Sequence, residues 1–394
     1  MNEKLTFLNV RLGDYVENIN SYFKAEIDGV LPYVAGPHID AVYPKVVSYG
    51  STEDDDFPPT FKRKFQNTDV LLHSRGVEKI AMVDRSGVTG EKLFVLRSKD
   101  TNLLSQEYLL LVLRSRYGAD YFNNNISGSV NKFLNWSPLS NFHFSLPKKS
   151  RQDEIVKLFS LIDSHNDALD QLMFNLLQSE KIVIRELIEN SGFDVLPLSY
   201  FANLERGVSY KTSDYATEEV GRPFITLKSV SREGLYSPEG LKWVNSDFGS
   251  KRLASSGDLF IANTDLTPGR LLVGAPFYFP GVSHKFETVY SMDLTRIISK
   301  HDYLDNSYLY LALRSDRVRK YMVRNTRGST VGHLDVNSVL ELGIPEMSEE
   351  AWLHLQGIAV KFENERVAII NEKSRLLFLK SKLSDEFLGG PDGV

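Results

Sequence analysis

Tyr108-Leu109-Leu110-Leu111-Val112-Leu113-Arg114-Ser115 returns as Tyr308-Leu309-Tyr310-Leu311-Ala312-Leu313-Arg314-Ser315, with six of the eight positions identical and a separation of 200 residues. Beyond it, Asn125, Gly128, Ser129 and Leu134 return as Asn325, Gly328, Ser329 and Leu334 at the same separation. A single leucine-rich match can arise by chance, but a separation kept through a loop points to a duplication. Two copies of this size are too few and too long for a solenoid, whose units of about 20–50 residues share one core. The chain therefore reads as two similar modules.

Upstream the copies have drifted while the order of features survives. Leu31-Pro32-Tyr33-Val34 answers Arg222-Pro223-Phe224-Ile225, and Asp69-Val70-Leu71-Leu72 answers Asp258-Leu259-Phe260-Ile261. Each reads as a short buried strand after a turn. Leu146-Pro147 and Ile344-Pro345 close the modules, and a helical pattern follows each. From Ser150, a candidate N-cap, apolar residues fall at Ile155, Leu158, Ile162, Leu169, Leu172, Leu176 and Val183 before Gly192. The second pattern runs through Leu355, Ile358, Phe362, Ile369, Leu376, Leu379 and Leu383 before Gly389-Gly390. Spacings alternating between three and four make a heptad seam, and a helix of about 38 residues spans roughly 55–60 Å, longer than a small domain needs. Two matching seams in one chain are expected to pack on each other as an antiparallel coiled coil. His165, Glu365, Glu372 and Ser179 interrupt the seam and are read as register or solvent positions. The expected fold is mixed α/β (α+β), with two similar modules related by pseudo-twofold symmetry: a first module over 1–149, a helix over 150–191, a second module over 192–347, a helix over 348–390 and a tail over 391–394.

Composition agrees with a folded chain of more than one core: 394 residues, 42% hydrophobic and 25% charged. The absence of cysteine excludes a disulfide framework, a thiolate zinc site and a cysteine nucleophile, and fits a cytoplasmic location. Residues 1–15 carry charges without an apolar run, so neither a secretion signal nor a membrane span is expected. The sequence has no G-x-x-x-x-G-K-[ST], G-x-G-x-x-G or H-E-x-x-H motif and no Asn/Asp-Pro-Pro-aromatic tetrapeptide. Its eight histidines are scattered, and no metal site is assigned. Glu53-Asp54-Asp55-Asp56 reads as a solvated turn rather than a cation site.

The net charge of −5 hides two basic stretches. Residues 60–99 hold nine Lys or Arg against four acids, and residues 311–333 hold six against one. Local charge of this kind, and not the total, decides whether phosphate is attracted. The arginine fork can bond guanine or phosphate through two donors, and the two Asn-x-x-Gly-Ser loops offer backbone amides and hydroxyls to phosphate.

The order of module, Gly-Ser loop, Pro-ended strand and long helix, twice over, resembles the specificity subunit of type I restriction-modification enzymes. The resemblance covers nearly the whole chain. It is carried by Gly328-Ser329-Thr330-Val331-Gly332-His333-Leu334 leading to Leu342-Gly343-Ile344-Pro345, by Gly128-Ser129 leading to Leu146-Pro147, and by the module openings Val10-Arg11-Leu12-Gly13-Asp14 and Leu196-Pro197-Leu198-Ser199. It implies a non-catalytic subunit for phage defence. Its two target-recognition domains would each read one half of a bipartite double-stranded DNA site, with the coiled coil as ruler and as dock for two methyltransferase subunits, to which restriction/translocase subunits add. S-adenosylmethionine, ATP and Mg²⁺ would belong to those partners, and this chain would carry no cofactor. DNA contacts are expected from Arg63, Arg75, Lys79, Lys92 and Ser129 in the first module, and from Lys228, Arg232, Asn263, Arg270, Arg327, Ser329 and Thr330 in the second. Two rivals stand beside this reading. A coiled-coil scaffold for protein or ligand predicts no DNA sequence preference, and a nuclease using residues 53–56 predicts metal-dependent cleavage.

Overall fold

The computed structural model describes residues 7–190, 192–231, 235–246, 248, 252–301 and 306–390. It divides into two compact units, Met1–Leu169 with Asn371–Val394, and Asp170–Ile370. Each unit takes a share of both long helices, Lys149–Ile184 and Glu349–Phe387.

The first unit contains a four-stranded antiparallel sheet in the order Val16–Asn18, Leu93–Ser98, Val70–His73, Ile80–Met82. A second sheet has the order Gly50–Ser51, Pro32–Val34, Gly87–Thr89, Arg63–Phe65, with its middle pair parallel. The second unit repeats both. Ala202–Arg206, Leu294–Ser299, Leu259–Ala262 and Pro276–Tyr278 form the antiparallel sheet. Lys242–Val244, Arg222–Ile225, Thr288–Tyr290 and Leu253–Ala254 form the other, again with a parallel middle pair. The unalternating runs Val70–His73 and Leu259–Ala262 occupy interior positions of their sheets, where Val70, Leu71, Leu72, Leu259, Phe260 and Ile261 are fully buried.

The repeat extends to individual hydrogen bonds. Asp69 closes the turn before its strand by accepting from the Gln66 amide at 2.7 Å, and Arg97 of the neighbouring strand grips it at 2.7 Å through two nitrogens. Asp258 likewise accepts from the Ser255 amide at 2.8 Å and from Arg296 at 3.0 Å. The repeated Tyr108 and Tyr308 are buried in the helices Gln106–Arg114 and Asn306–Arg314, and their hydroxyls donate to the carbonyls of Ser145 and Pro345. Ser115 and Ser315 cap the following helices by accepting from the Gly118 and Val318 amides.

The long helices pack antiparallel inside each unit. In the first, Ile155 and Phe159 share a core with Leu383, Phe387 and Leu388, and Asp163 pairs with Lys380. In the second, Ile184 and Ile188 share a core with Trp352, Leu355 and Ala359, and Glu180 pairs with Arg366 at 2.8 Å. The seam differs from the sequence reading at named positions. Leu172 and Leu379 are 50% and 44% exposed, and Phe159 takes the buried place beside the half-buried Leu158. Of the remaining seam residues, Ile155, Ile162, Leu355, Ile369 and Leu376 are buried, and Leu169, Leu176, Ile358, Phe362 and Leu383 are half-buried. The interrupting residues are also different ones: His165 and Glu365 face solvent, whereas Glu180 and Arg366 are buried. The first helix starts at Lys149, one residue before the expected cap, with Arg151 and Gln152 bonding back to the Lys148 carbonyl. No described helix is long and apolar enough to cross a membrane.

Candidate nucleic-acid interface

In the first unit the turn joining Val70–His73 to Ile80–Met82 carries Arg75 into solvent, where the amides of Arg75 and Gly76 bond to His73. The Ser74 amide bonds the Lys92 carbonyl at 2.8 Å, and the Ser74 carbonyl accepts from the Leu134 amide at 2.7 Å, which ties the Gly-Ser loop to the same place. Lys79 leans over the turn, its Nζ donating to the Gly36 carbonyl at 3.0 Å. His73 senses this grouping: burial lowers its pKa, and Lys79 and Lys92 lower it further. Lys79, Lys92 and Arg75 gather here against Glu78, a local positive charge that suits phosphate.

The Gly-Ser loop needs its glycine for a geometric reason. Gly128 sits at φ 92°, and a Cβ there would lie 2.5 Å from the Asn131 carbonyl oxygen; Gly328 repeats this at φ 102° and 2.1 Å from the Val331 oxygen. Ser129, Ser329 and Thr330 are consequently displayed on tight exposed turns.

Several of the basic residues read from the sequence are engaged within the fold. Lys64 pairs with Asp28, Arg85 with Asp84 and Arg97 with Asp69. In the second unit Arg314 pairs with Glu180, Arg319 donates to the carbonyls of Val273 and Leu271, and Arg317 donates to Gly343. Arg75, Lys92, Lys228, Lys320 and Arg324 stay exposed, and Arg327, with its side chain 88% exposed, lies 4.0 Å from Asp335.

Three expected contacts take other places. Arg63 is half-buried, donates to the Leu93 carbonyl at 2.8 Å, and has its pKa lowered by burial, so it braces the sheet. Asn263 is 2% exposed, and its amide donates inward to the Met292 carbonyl at 3.0 Å. Arg270 is turned onto the Gly-Ser loop of its own unit instead of outward. Arg232 lies outside the described residues.

The second unit builds more around its loop than the first. Thr264–Asp265, Gly332–Leu334 and Thr326–Arg327 form a three-stranded sheet, where the first unit has a single bridge between Ser127 and Phe133. Beside that sheet lies a cavity of about 720 Å³, lined among others by Tyr215, Lys228, Lys242, Trp243 and His333. Tyr215, Lys242 and Trp243 were not singled out in the sequence, and His333 only within the run that carries the resemblance, since isolated side chains of these kinds carry no spacing signal. The acidic run folds as a turn, the Ser51 amide donating to Asp54 at 2.7 Å.

Two mixed α/β units are thus built on one plan, each with a tight glycine loop beside exposed cations. Comparison with known proteins finds the same architecture elsewhere. Residues 34–173 match the family model of the type I restriction modification DNA specificity domain. A chain from a type I R-M system, solved in work on complex assembly and conformational transition, aligns over 98% of this chain and 99% of its own with a TM-score of 0.58 at 16% identity. The S subunit of a type I restriction-modification system from M. genitalium aligns over 100% and 98% with a TM-score of 0.57 at 13% identity. No curated protein matches the sequence. The family model thus accounts for residues 34–173, and over the whole chain the likeness to these solved structures is one of fold.

Proposed function

We propose that this chain reads a bipartite DNA target, one half-site per unit, and presents it to methyltransferase subunits docked on its long helices. The observation that carries the reading is the duplicated loop: a positive-φ glycine followed by serine, in each unit beside exposed cations, Arg75 and Lys92 in one and Arg324 and Arg327 in the other. Phosphate contacts from such residues fix register, and base contacts add the sequence preference. The two long helices act as the ruler between half-sites. Their outer faces support docking, because Leu161, Leu377 and Phe378 in the first unit and Phe174, Val360 and Val367 in the second are large apolar side chains left in solvent. S-adenosylmethionine, and ATP with Mg²⁺ where a translocating nuclease joins, act in those partner subunits.

The test is selection of bound duplexes from a random pool by the chain co-expressed with its methyltransferase. Two short motifs at fixed spacing are expected. An intact complex that enriches no motif overturns the reading in favour of a scaffold.

A further inference from the structure

We propose that the second unit reads bases through the cavity between its Gly-Ser loop and Trp243, and that Arg270 is the positioning residue that sets the loop wall of that cavity. The inference rests on the DNA reading given above and narrows it to particular residues.

The loop wall consists of Val331 and His333; the facing walls bring Tyr215, Trp243, Lys228 and Lys242. This lining suits the edges of base pairs in a double helix. Lysine ammonium groups donate to guanine O6 and N7, an imidazole can donate or accept, and aromatic surface covers a thymine methyl. The volume of about 720 Å³ accommodates more than one base edge. In the first unit the sheet corresponding to the one that bears Trp243 is covered differently: Tyr33, Phe57 and Phe61 pack in tilted and edge-to-face contacts, with centroids 5.4–6.3 Å apart.

Arg270 holds φ 59°, one of two positive-φ residues other than glycine among those described. A non-glycine residue keeps such a conformation when its surroundings impose it. Here one guanidinium nitrogen reaches the carbonyls of Gly328 at 2.5 Å and Ser329 at 3.0 Å, and the other that of Asp265 at 2.9 Å, with Thr330 at 3.5 Å. Those loop carbonyls are exposed, so water would satisfy them; what the fork adds is order, since three successive carbonyls on one rigid planar group share one geometry. Gly332 makes room for it, because a Cβ there would lie 2.8 Å from the guanidinium carbon. Asp265 secures the other side, accepting from the Thr267, Leu272 and Val273 amides at 2.6–2.8 Å. The described hydrogen bonds of the corresponding loop in the first unit are the paired backbone bonds between Ser127 and Phe133, the Leu134 amide on the Ser74 carbonyl and one from Asn135 to the Ser127 hydroxyl, with no arginine among them.

The experiment is duplex selection by the full chain with its methyltransferase, comparing wild type with Arg270→Gln, Arg270→Lys and Trp243→Ala. Wild type enriches two motifs. Arg270→Gln and Trp243→Ala flatten the same one of the two by on the order of tenfold per affected base pair and leave the other at its wild-type enrichment. Arg270→Lys restores part of the preference, as one ammonium cannot fork over three carbonyls. Trp243 lies outside the clamp, so its variant still decides the matter if Arg270→Gln unfolds the loop. Both motifs retained at wild-type strength in both variants overturns the inference while leaving the DNA reading intact. A wild-type complex that enriches nothing overturns both.

Discussion

At the place where each unit joins the long helices, one repeated arginine has been put to two uses. Arg314 meets Glu180 at 2.7 Å, Glu180 meets Arg366 at 2.8 Å, and Arg366 reaches on to Glu363 at 2.8 Å, with the Tyr310 ring under both guanidinium groups. Glu180 and Arg366 are buried together. Burial works against the Arg366 cation, but Tyr310 and the two glutamates outweigh it, and its pKa is raised. In the first unit Arg114 instead caps the carbonyls of Ala41, Val42, Tyr43 and Ile80, Leu110 stands where Tyr310 does, and the helix pair is an Asp163–Lys380 contact with both side chains more than a third exposed. Duplication preserved the apolar scaffold and let the polar chemistry at the junction diverge. The sealed version is specific in geometry and intolerant of loss, and the open version is neither.

The largest effect is expected from Glu180→Ala, which removes the buried carboxylate shared by Arg314 and Arg366 and leaves Glu363 beside Arg366, and should cost about 3 kcal/mol. Lys380→Ala, which removes the half-exposed counterpart, should cost under about 1 kcal/mol. Urea unfolding with hydrogen exchange followed separately in residues 349–369 and 371–387 distinguishes the two. Equal costs would mean that burial does not set the difference between the junctions.

That divergence was invisible in the sequence for a physical reason. The duplication, the order of its repeated runs and the two long helices rest on local signals, an apolar run or a 3–4 periodicity, carried by Tyr108, Tyr308, Ile155 and Leu355. Adjacent apolar residues such as Leu158 and Phe159 satisfy the period equally well, and only packing chooses between them. Glu180 and Arg366 each look like ordinary exposed helix residues, because the pairing that buries them lies between two helices far apart in the chain. Charge counting failed at the interface in the same way: Arg63, Arg97, Arg270 and Arg319 are as basic in sequence as Arg75 or Arg327, yet the fold turns them inward onto carbonyls and carboxylates. The turns at Gly128 and Gly328 were legible because glycine at positive φ leaves a mark in the sequence that a long-range ion pair does not.

The units should also differ in response to acid. Burial raises the Asp265 pKa, but the Thr267 hydroxyl and the Thr267, Val273 and Leu272 amides outweigh it, leaving it below the ordinary carboxylate value. A group with a lowered folded pKa binds protons more readily unfolded. Its stabilisation is therefore present above the ordinary value of about 3.9 and is lost as pH falls through the folded pKa. His73 is lowered too, by burial and by Lys79 and Lys92, so its contribution begins to fall at about pH 6.5. Unfolding free energy of His73→Gln should accordingly be flatter than wild type between about pH 6.5 and 5, with Asp265→Asn flattening only the region below about pH 4. A wild-type slope in either window for the matching variant would remove that group as its source.

The loop glycines sharpen the contrast on a smaller scale. Gly128→Ala and Gly328→Ala each force a left-handed φ on a residue with a Cβ, at a cost of about 1–2 kcal/mol. The added carbon sits closer to backbone at Gly328, 2.1 Å from the Val331 oxygen against 2.5 Å from Asn131 at Gly128. The loop of the second unit is also clamped by Arg270, so it can yield less. Amide exchange in residues 326–334 should therefore rise more for Gly328→Ala than exchange in residues 126–134 does for Gly128→Ala; the reverse order would show that the clamp does not stiffen its loop.

The smallest effect is on ionic strength. Arg327, almost wholly exposed, and Lys92, exposed beside the first loop, are expected to meet phosphate and not bases. Alanine at either should reduce the slope of log affinity against log salt by about 1 and weaken all sequences alike. Arg63→Ala should leave that slope unchanged, because its guanidinium already serves the Leu93 carbonyl inside the sheet. A slope reduced as much by Arg63→Ala as by Lys92→Ala would mean that the buried arginines of this fold turn outward when DNA arrives, and that the division drawn here between bracing and contacting cations holds only in its absence.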